Sequence, residues 1–220
     1  MVSGAFRAAN MKRNANASSG GWARFIHSVT GWMSSTHSTP ISRKGAQPMS
    51  EHETARPSIV ELAEGVSVID DILAVAGVDT LEGRIGPLLF GETGRAHYLD
   101  MPAGSYVDEH HHDDEAFTLT VRGSYVLCAG GQRRLMKPGS FFLFGAGIPT
   151  GYEVPFDEPA YILVFRGVVQ QTPAEMLESL DAAKDHFVEM QQAGAPFALH
   201  DLPEDHPARL FAHEVNPAAY

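Results

Sequence analysis

The chain of 220 residues contains only one cysteine and no long apolar run. These two features argue against a disulfide-stabilised protein and against a membrane-spanning one. With Cys128 as the only cysteine, no disulfide can form within the chain, which favours a reducing compartment. No stretch approaches the roughly 18 apolar residues that a membrane-spanning helix needs. We therefore expect a cytoplasmic protein with no membrane partner.

Sequence motifs of several common enzyme classes are also missing. There is neither a Gly-x-Gly-x-x-Gly loop nor a Walker sequence for binding phosphates, and there is no Gly-x-Ser-x-Gly elbow. Cys128 lies in the strand-like run "YVLCA" and is interpreted as a small buried apolar residue. Serine or cysteine nucleophile chemistry is therefore not supported.

Acidic residues are absent from the first 50 positions, although the whole chain has a formal net charge of −11. The remainder is therefore strongly acidic and would repel the phosphates of nucleic acid. Residues 1–48 are rich in Ser, Asn and Gly and are predicted to be disordered. Two interpretations stay open: a transit peptide for organelle import, or translation that starts at Met49.

Strand signals dominate residues 57–168. Short apolar or alternating runs such as "AFTLTV" and "YILVFRG" are separated by turn sequences such as "PAG" and "KPG". This pattern predicts an all-β sandwich or barrel. Residues 172–216 change to a helical period, beginning at a capping box of Thr172 and Glu175, with a second helix at roughly 207–215.

The densest cluster of potential metal ligands is "DEHHHDDEAF", at residues 108–117. On a strand, residues two apart share a face, so His110 and His112 should point together and His111 away. Two imidazoles so placed can bind one metal ion. The acidic neighbours are expected to raise the pKa values of these histidines. The alternative is an exposed acidic loop.

The spacing around the two histidines resembles the cupin superfamily. Its first motif reads Gly, five residues, His-x-His, three or four residues, Glu, six residues, Gly, and its second contains Pro-Gly, an apolar strand and Pro-x-Gly-x-x-His. The matching residues are Gly104, His110, His112, Gly123, Pro138, Gly139, Gly147 and Pro149. The resemblance implies an antiparallel β-barrel of jelly-roll type with a metal ion inside, here followed by C-terminal α-helices.

Two positions depart from the family pattern. The family's glutamate falls at Ala116, one residue after Glu115, and its fourth ligand, a histidine, falls at Thr150. The apolar set Phe117, Leu119 and Val121 alternates in phase with Glu115. If that set faces the interior, so does Glu115.

The predicted metal ligands are therefore His110, His112 and Glu115, with His97 on a neighbouring strand as a reserve. Glu115 and Thr150 are the candidate catalytic residues. Two histidines and one carboxylate suit non-haem Fe(II), with Mn, Ni or Zn as alternatives.

The resemblance implies a metal-dependent oxidoreductase, and we expect a dioxygenase that acts on a small ketone or aromatic substrate. The candidate residues lining its substrate site are Tyr98, Phe117, Phe142, Phe144 and Tyr152. Two alternatives remain: a non-catalytic cupin that binds a small molecule, and a metal-assisted isomerase or lyase. We also expect a homodimer. The sequence does not identify the substrate.

Overall fold

The computed structural model describes residues 59–167 and 171–218. The described strands are β1 Ile59–Ala63, β2 Val66–Ile69, β3 Val78–Thr80, β4 Gly83–Phe90, β5 Gly94–Met101, β6 Tyr106–His110, β7 Ala116–Arg122, β8 Tyr125–Ala129, β9 Gln132–Met136, β10 Phe141–Phe144, β11 Thr150–Glu153 and β12 Ala160–Gly167. The described α-helices are α1 Pro173–Gln192 and α2 Pro207–Val215. The predicted disorder of residues 1–48 falls outside the described residues.

The strands form two larger antiparallel sheets and one hairpin. The six-stranded sheet has the order β10-β7-β12-β5-β4-β3, the four-stranded sheet has the order β6-β11-β8-β9, and β1 pairs with β2. Both sheets contain neighbours that are distant in sequence, as in a jelly roll. The predicted antiparallel fold with C-terminal helices is therefore confirmed.

The main core lies between the two larger sheets. Alternate residues of each strand point into it, because successive side chains on a strand face opposite sides. Its buried members are Met101, Val107, Ala116, Tyr125, Met136, Phe144, Tyr152, Val154, Ala160, Ile162 and Val164. Both sheets contribute to this set, so the space between them is where a site can form.

Strand β7 faces the core with the opposite phase to the one predicted. Ala116, Thr118 and Thr120 are buried, whereas Phe117 is 44% exposed and stacks on the exposed Phe141 with ring centroids 5.8 Å apart. The larger side chains pack across the outer face of the sheet, and the small residues leave room inside. The predicted interior position of the Phe117 set is therefore wrong.

Segments before and after the strands cover other outer faces. Tyr98 and Tyr161 stack with centroids 5.1 Å apart, and their hydroxyls donate to the carbonyls of Val75 and Ile72 at 2.8 and 2.9 Å. Leu199 and Leu202, just before α2, bury Tyr106 on the other sheet.

Helix α1 packs against β3 and β4. It begins with the predicted capping box, in which the Thr172 hydroxyl accepts a hydrogen bond from the Glu175 N–H and the Glu175 carboxylate accepts one from the Thr172 N–H. Neither described helix is long and apolar enough to cross a membrane.

Candidate functional site

A cavity of about 160 Å³ lies between the two sheets. Its walls are mostly apolar and include Leu99, Met101, Leu127, Ile162 and Val164. Its ionisable and hydroxyl-bearing lining residues are Glu82, His97, His110, His112, Thr118, Tyr125, Thr150, Tyr152 and Arg166. An apolar space with a few convergent polar groups is typical of a small-molecule site.

The structure brings His110 and His112 together at this cavity. His110 ends β6 and His112 follows it, and their ring centroids are 4.6 Å apart. His111, between them, is exposed. The N–H of Gly147, from the loop before β11, donates to the His112 carbonyl at 2.7 Å and fixes this part of the chain. His110 and His112 therefore both line the cavity, whereas His111 does not.

The local backbone determines the tautomer of His110. Its Nδ1 lies 3.0 Å from the carbonyl oxygen of Asp108, and a carbonyl oxygen can only accept, so Nδ1 carries the hydrogen and donates it. In the neutral ring the lone pair is then on Nε2, which lies 4.0 Å from a carboxylate oxygen of Glu82. Histidines that bind metals commonly donate their other ring N–H in this way.

Two cavity histidines are held in the neutral form. Burial, with smaller effects from His110 and Arg166, lowers the pKa of His112 to about 3. Burial and the nearby Arg166 and Arg95 likewise lower the pKa of His97 to about 3. The expected rise in histidine pKa is therefore wrong for His112, because burial and the nearby positively charged groups all lower its pKa. Neutral imidazole is the form that binds metals.

The carboxylate in the cavity is Glu82, from the turn between β3 and β4. The hydroxyl of Tyr152 on β11 donates to the backbone carbonyl of Glu82 and ties this turn to the opposite sheet. The Glu82 side chain is 14% exposed. Burial raises the pKa of Glu82, and the nearby His110 partly offsets that rise.

Glu115, the carboxylate expected from the sequence, is exposed and does not line the cavity. It directly precedes β7, whose buried positions are Ala116, Thr118 and Thr120, so strand alternation directs Glu115 outward. The structure does not bring it to His110 and His112.

The other predicted site residues divide between the cavity and the remaining packing. Phe142, Phe144 and Tyr152 line the cavity, and the Phe144 ring lies 4.7 Å from that of His112. Tyr98 and Phe117 do not line it, because they occupy the outer faces of the six-stranded sheet.

Thr150 lines the cavity and is buried. It is the antiparallel partner of His110 in the pairing of β11 with β6. A longer side chain at this position would therefore reach the same end of the cavity as His110.

Sequence reasoning missed Glu82 and Arg166. Glu82 had no local signal, because only the fold places its turn over the cavity. Arg166 did have a local signal in the sequence. In "YILVFRG" it is in phase with Ile162 and Val164, and an arginine in phase with a buried strand face is uncommon.

The donor chemistry of the cavity fits a divalent metal ion. Neutral imidazoles and a carboxylate are suitable ligands, and the Nδ1 of His97 is buried without a hydrogen-bond partner among the described residues. In the described part of the chain, however, no three such groups stand close enough together to hold a metal ion as they are. Binding an ion therefore requires a side-chain rearrangement of His112 or His97 toward the Glu82–His110 pair.

Comparisons with known proteins agree with the fold. Residues 97–166 match the model of the cupin domain family. Among curated proteins, none matches the chain at a significant level.

Solved structures with a similar arrangement include the DMSP lyase DddQ from Ruegeria pomeroyi, at 23% identity over 40% of this chain and 48% of that one, with a TM-score of 0.36. The chain thus spans about half the length of that lyase. The polyketide cyclase RemF from Streptomyces resistomycificus matches at 17% identity over 42% of this chain and 70% of that one, with a TM-score of 0.38. KdgF from Halomonas matches at 16% identity over 40% of this chain and 80% of that one, with a TM-score of 0.36. Similarity at this level does not transfer an activity.

Proposed function

We propose that this chain, a member of the cupin superfamily through residues 97–166, is a metal-dependent cupin enzyme acting on a small organic molecule. Cupins commonly bind divalent metal ions. The proposed ligands are His110, His112 and Glu82.

One observation carries this proposal: two histidines and a carboxylate line the same end of one apolar cavity. His110 Nε2 and Glu82 Oε1 are 4.0 Å apart, and two donors at about 2.1 Å from a common ion can be separated by up to about 4.2 Å. When bound, such an ion supplies Lewis acidity and open positions for substrate and dioxygen.

The residues of the chain position these donors and exclude water. The Asp108 carbonyl orients the His110 ring, and the Tyr152 hydroxyl holds the turn that carries Glu82. The apolar walls provide a low-dielectric space in which the few polar groups interact strongly.

Metal content is the direct test of the site. We expect the protein, purified without a histidine tag and loaded with Fe(II), to retain about one equivalent of metal, and His112→Ala to lower its affinity at least about 100-fold. Elemental analysis after desalting measures this.

His111→Ala is the matched control, because this exposed histidine is the direct neighbour of both ligands. It should retain as much metal as the wild type. A wild type that stays metal-free after loading, or equal losses in the two variants, would contradict the proposed site.

Within this class we favour a dioxygenase, since two histidines and a carboxylate suit iron and oxygen chemistry. Oxygen uptake by the Fe(II)-loaded protein, measured on a panel of phenolic ketones and diketones, tests it. Turnover without oxygen uptake would instead indicate a metal-assisted isomerase or lyase.

A second candidate is a cupin that binds a small molecule without chemistry. The observation that favours it is the lack of a ready-made group of three donors among the described residues, together with Thr150 at the position of the family's histidine. Ligand binding with no metal retention and no turnover would support this reading. The expected homodimer also stays a prediction, which sedimentation analysis would test.

A further inference from the structure

One charged group in the cavity has no role in the proposed metal site. Arg166 lies near the end of β12 and lines the cavity in phase with Ile162 and Val164. Its guanidinium carbon lies 5.5 Å from the centre of the Phe144 ring, and the Phe144 ring lies 4.7 Å from His112. The cation therefore lies at the same cavity as the candidate ligands, and the Phe144 ring is close to both Arg166 and His112.

The direct polar contact of Arg166 is with a neutral group. It makes a long hydrogen bond of 3.4 Å from Nη1 to the backbone carbonyl of Asp114. None of the ion pairs within 4.0 Å among the described residues involves it. Arg166 is half-buried, and a cation that is partly withdrawn from water without an ion-pair partner is unfavourable, so an anionic ligand can form a stabilising interaction with it.

The surroundings increase the positive potential at this end of the cavity. Arg95 on β5 is the direct cross-strand neighbour of Arg166. Burial, with a further effect from Arg95, lowers the pKa of Arg166, whereas Asp113 and Asp114 partly offset this. The same cation helps to lower the pKa values of His97 and His112.

Arg95 itself is already engaged elsewhere. Its Nη1 donates to the Gln171 amide oxygen at 2.7 Å, its guanidinium lies over the Phe90 ring, and it does not line the cavity. Arg166 is therefore the arginine available to a bound molecule.

The negatively charged residue of the cavity, Glu82, interacts with a different group. Glu82 interacts with His110, and the charges that act on Arg166 are Arg95, Asp113 and Asp114. The cavity thus has a carboxylate next to His110, a guanidinium next to Phe144, and otherwise mostly apolar walls.

We propose that the cavity binds small organic acids, and that Arg166 binds their carboxylate group. The proposal takes the cavity of the proposed function as the substrate site and specifies its substrate class. A guanidinium matches a carboxylate with two parallel N–H···O bonds. The apolar walls favour an organic acid over an inorganic anion, because they would leave the hydration of sulfate or phosphate uncompensated. The arrangement places the rest of the acid toward His112.

A matched pair of probes tests the proposal. Benzoate and benzamide have nearly the same shape, and only benzoate carries a charge. Titration calorimetry at constant ionic strength should show that the wild type binds benzoate at least about tenfold more tightly than benzamide. Arg166→Gln should lose this preference, Arg166→Lys should keep part of it, and sodium sulfate should not displace benzoate.

Arg95→Gln is the control, since it removes the neighbouring cation outside the cavity and should keep a preference within about threefold of the wild type. Thermal unfolding of each variant shows whether it is folded. Equal affinities for the two probes, a preference that survives in Arg166→Gln, or no benzoate binding to the wild type would each overturn the proposal.

Running the titrations on metal-loaded and chelator-treated protein separates the two proposals. A preference that depends on Arg166 without metal supports the substrate class even if the protein retains no metal. Metal retention with no such preference leaves the metal site standing and removes the organic-acid proposal.

Discussion

Glu82→Gln is expected to lower metal affinity about 10- to 100-fold, whereas Glu115→Gln should leave it unchanged. Glu82 lines the cavity with its carboxylate 4.0 Å from His110 Nε2, and Glu115 is exposed outside it. Glutamine keeps the shape of the side chain but replaces a charged oxygen donor with a neutral amide. Anaerobic isothermal titration calorimetry with Fe(II) measures the metal affinity of both variants.

The substitution at Glu82 should not disturb the turn that carries it. The Tyr152 hydroxyl donates to the backbone carbonyl of Glu82, which the change leaves in place. Unfolding temperatures of the metal-free variants should therefore be similar. If Glu115→Gln weakened metal binding and Glu82→Gln did not, the metal-bound chain would have to adopt a different arrangement of the 111–115 segment.

The paired histidines could be predicted because their signal is local. His110 and His112 are separated by one residue next to a strand, and the period of two places them on one face. The capping box of α1 was equally local, since Thr172 and Glu175 are three residues apart. Such features depend little on the rest of the fold.

The error at Glu115 came from a general rule applied next to a cavity. Larger apolar side chains were assumed to face inward, but on β7 the inward positions are Ala116, Thr118 and Thr120. On β7 the small inward residues leave space next to the cavity, and the large residues pack on the outer face. The alternation was correct, but its phase was not.

Glu82 could not be predicted because its environment is made by distant parts of the chain. The residue that holds its turn, Tyr152, is 70 residues away in the sequence. Arg166 could be predicted in part, unlike Glu82. Its phase on β12 was readable, but its lack of an ion-pairing carboxylate became visible only with the neighbouring strands in place.

The glycines of the family motif make a further prediction, because two of them share a backbone conformation and differ in their surroundings. Gly123 has φ +69° and Gly104 has φ +75°. A Cβ at Gly123 would overlap the carbonyl oxygen of Pro159 and lie 2.8 Å from the Cα of Ala160. We expect Gly123→Ala to lower the free energy of unfolding by more than about 4 kcal/mol, measured by urea denaturation.

Gly104→Ala is the matched control, because the structure places no described atom within 4 Å of its Cβ position. It should show the cost of the left-handed backbone alone, about 1–2 kcal/mol. The difference between the variants then measures the close approach of the β7–β8 turn to the start of β12, the strand that carries Arg166. An insoluble Gly123→Ala beside a folded Gly104→Ala agrees with this, whereas equal losses would mean that the turn moves away from Pro159 at little cost.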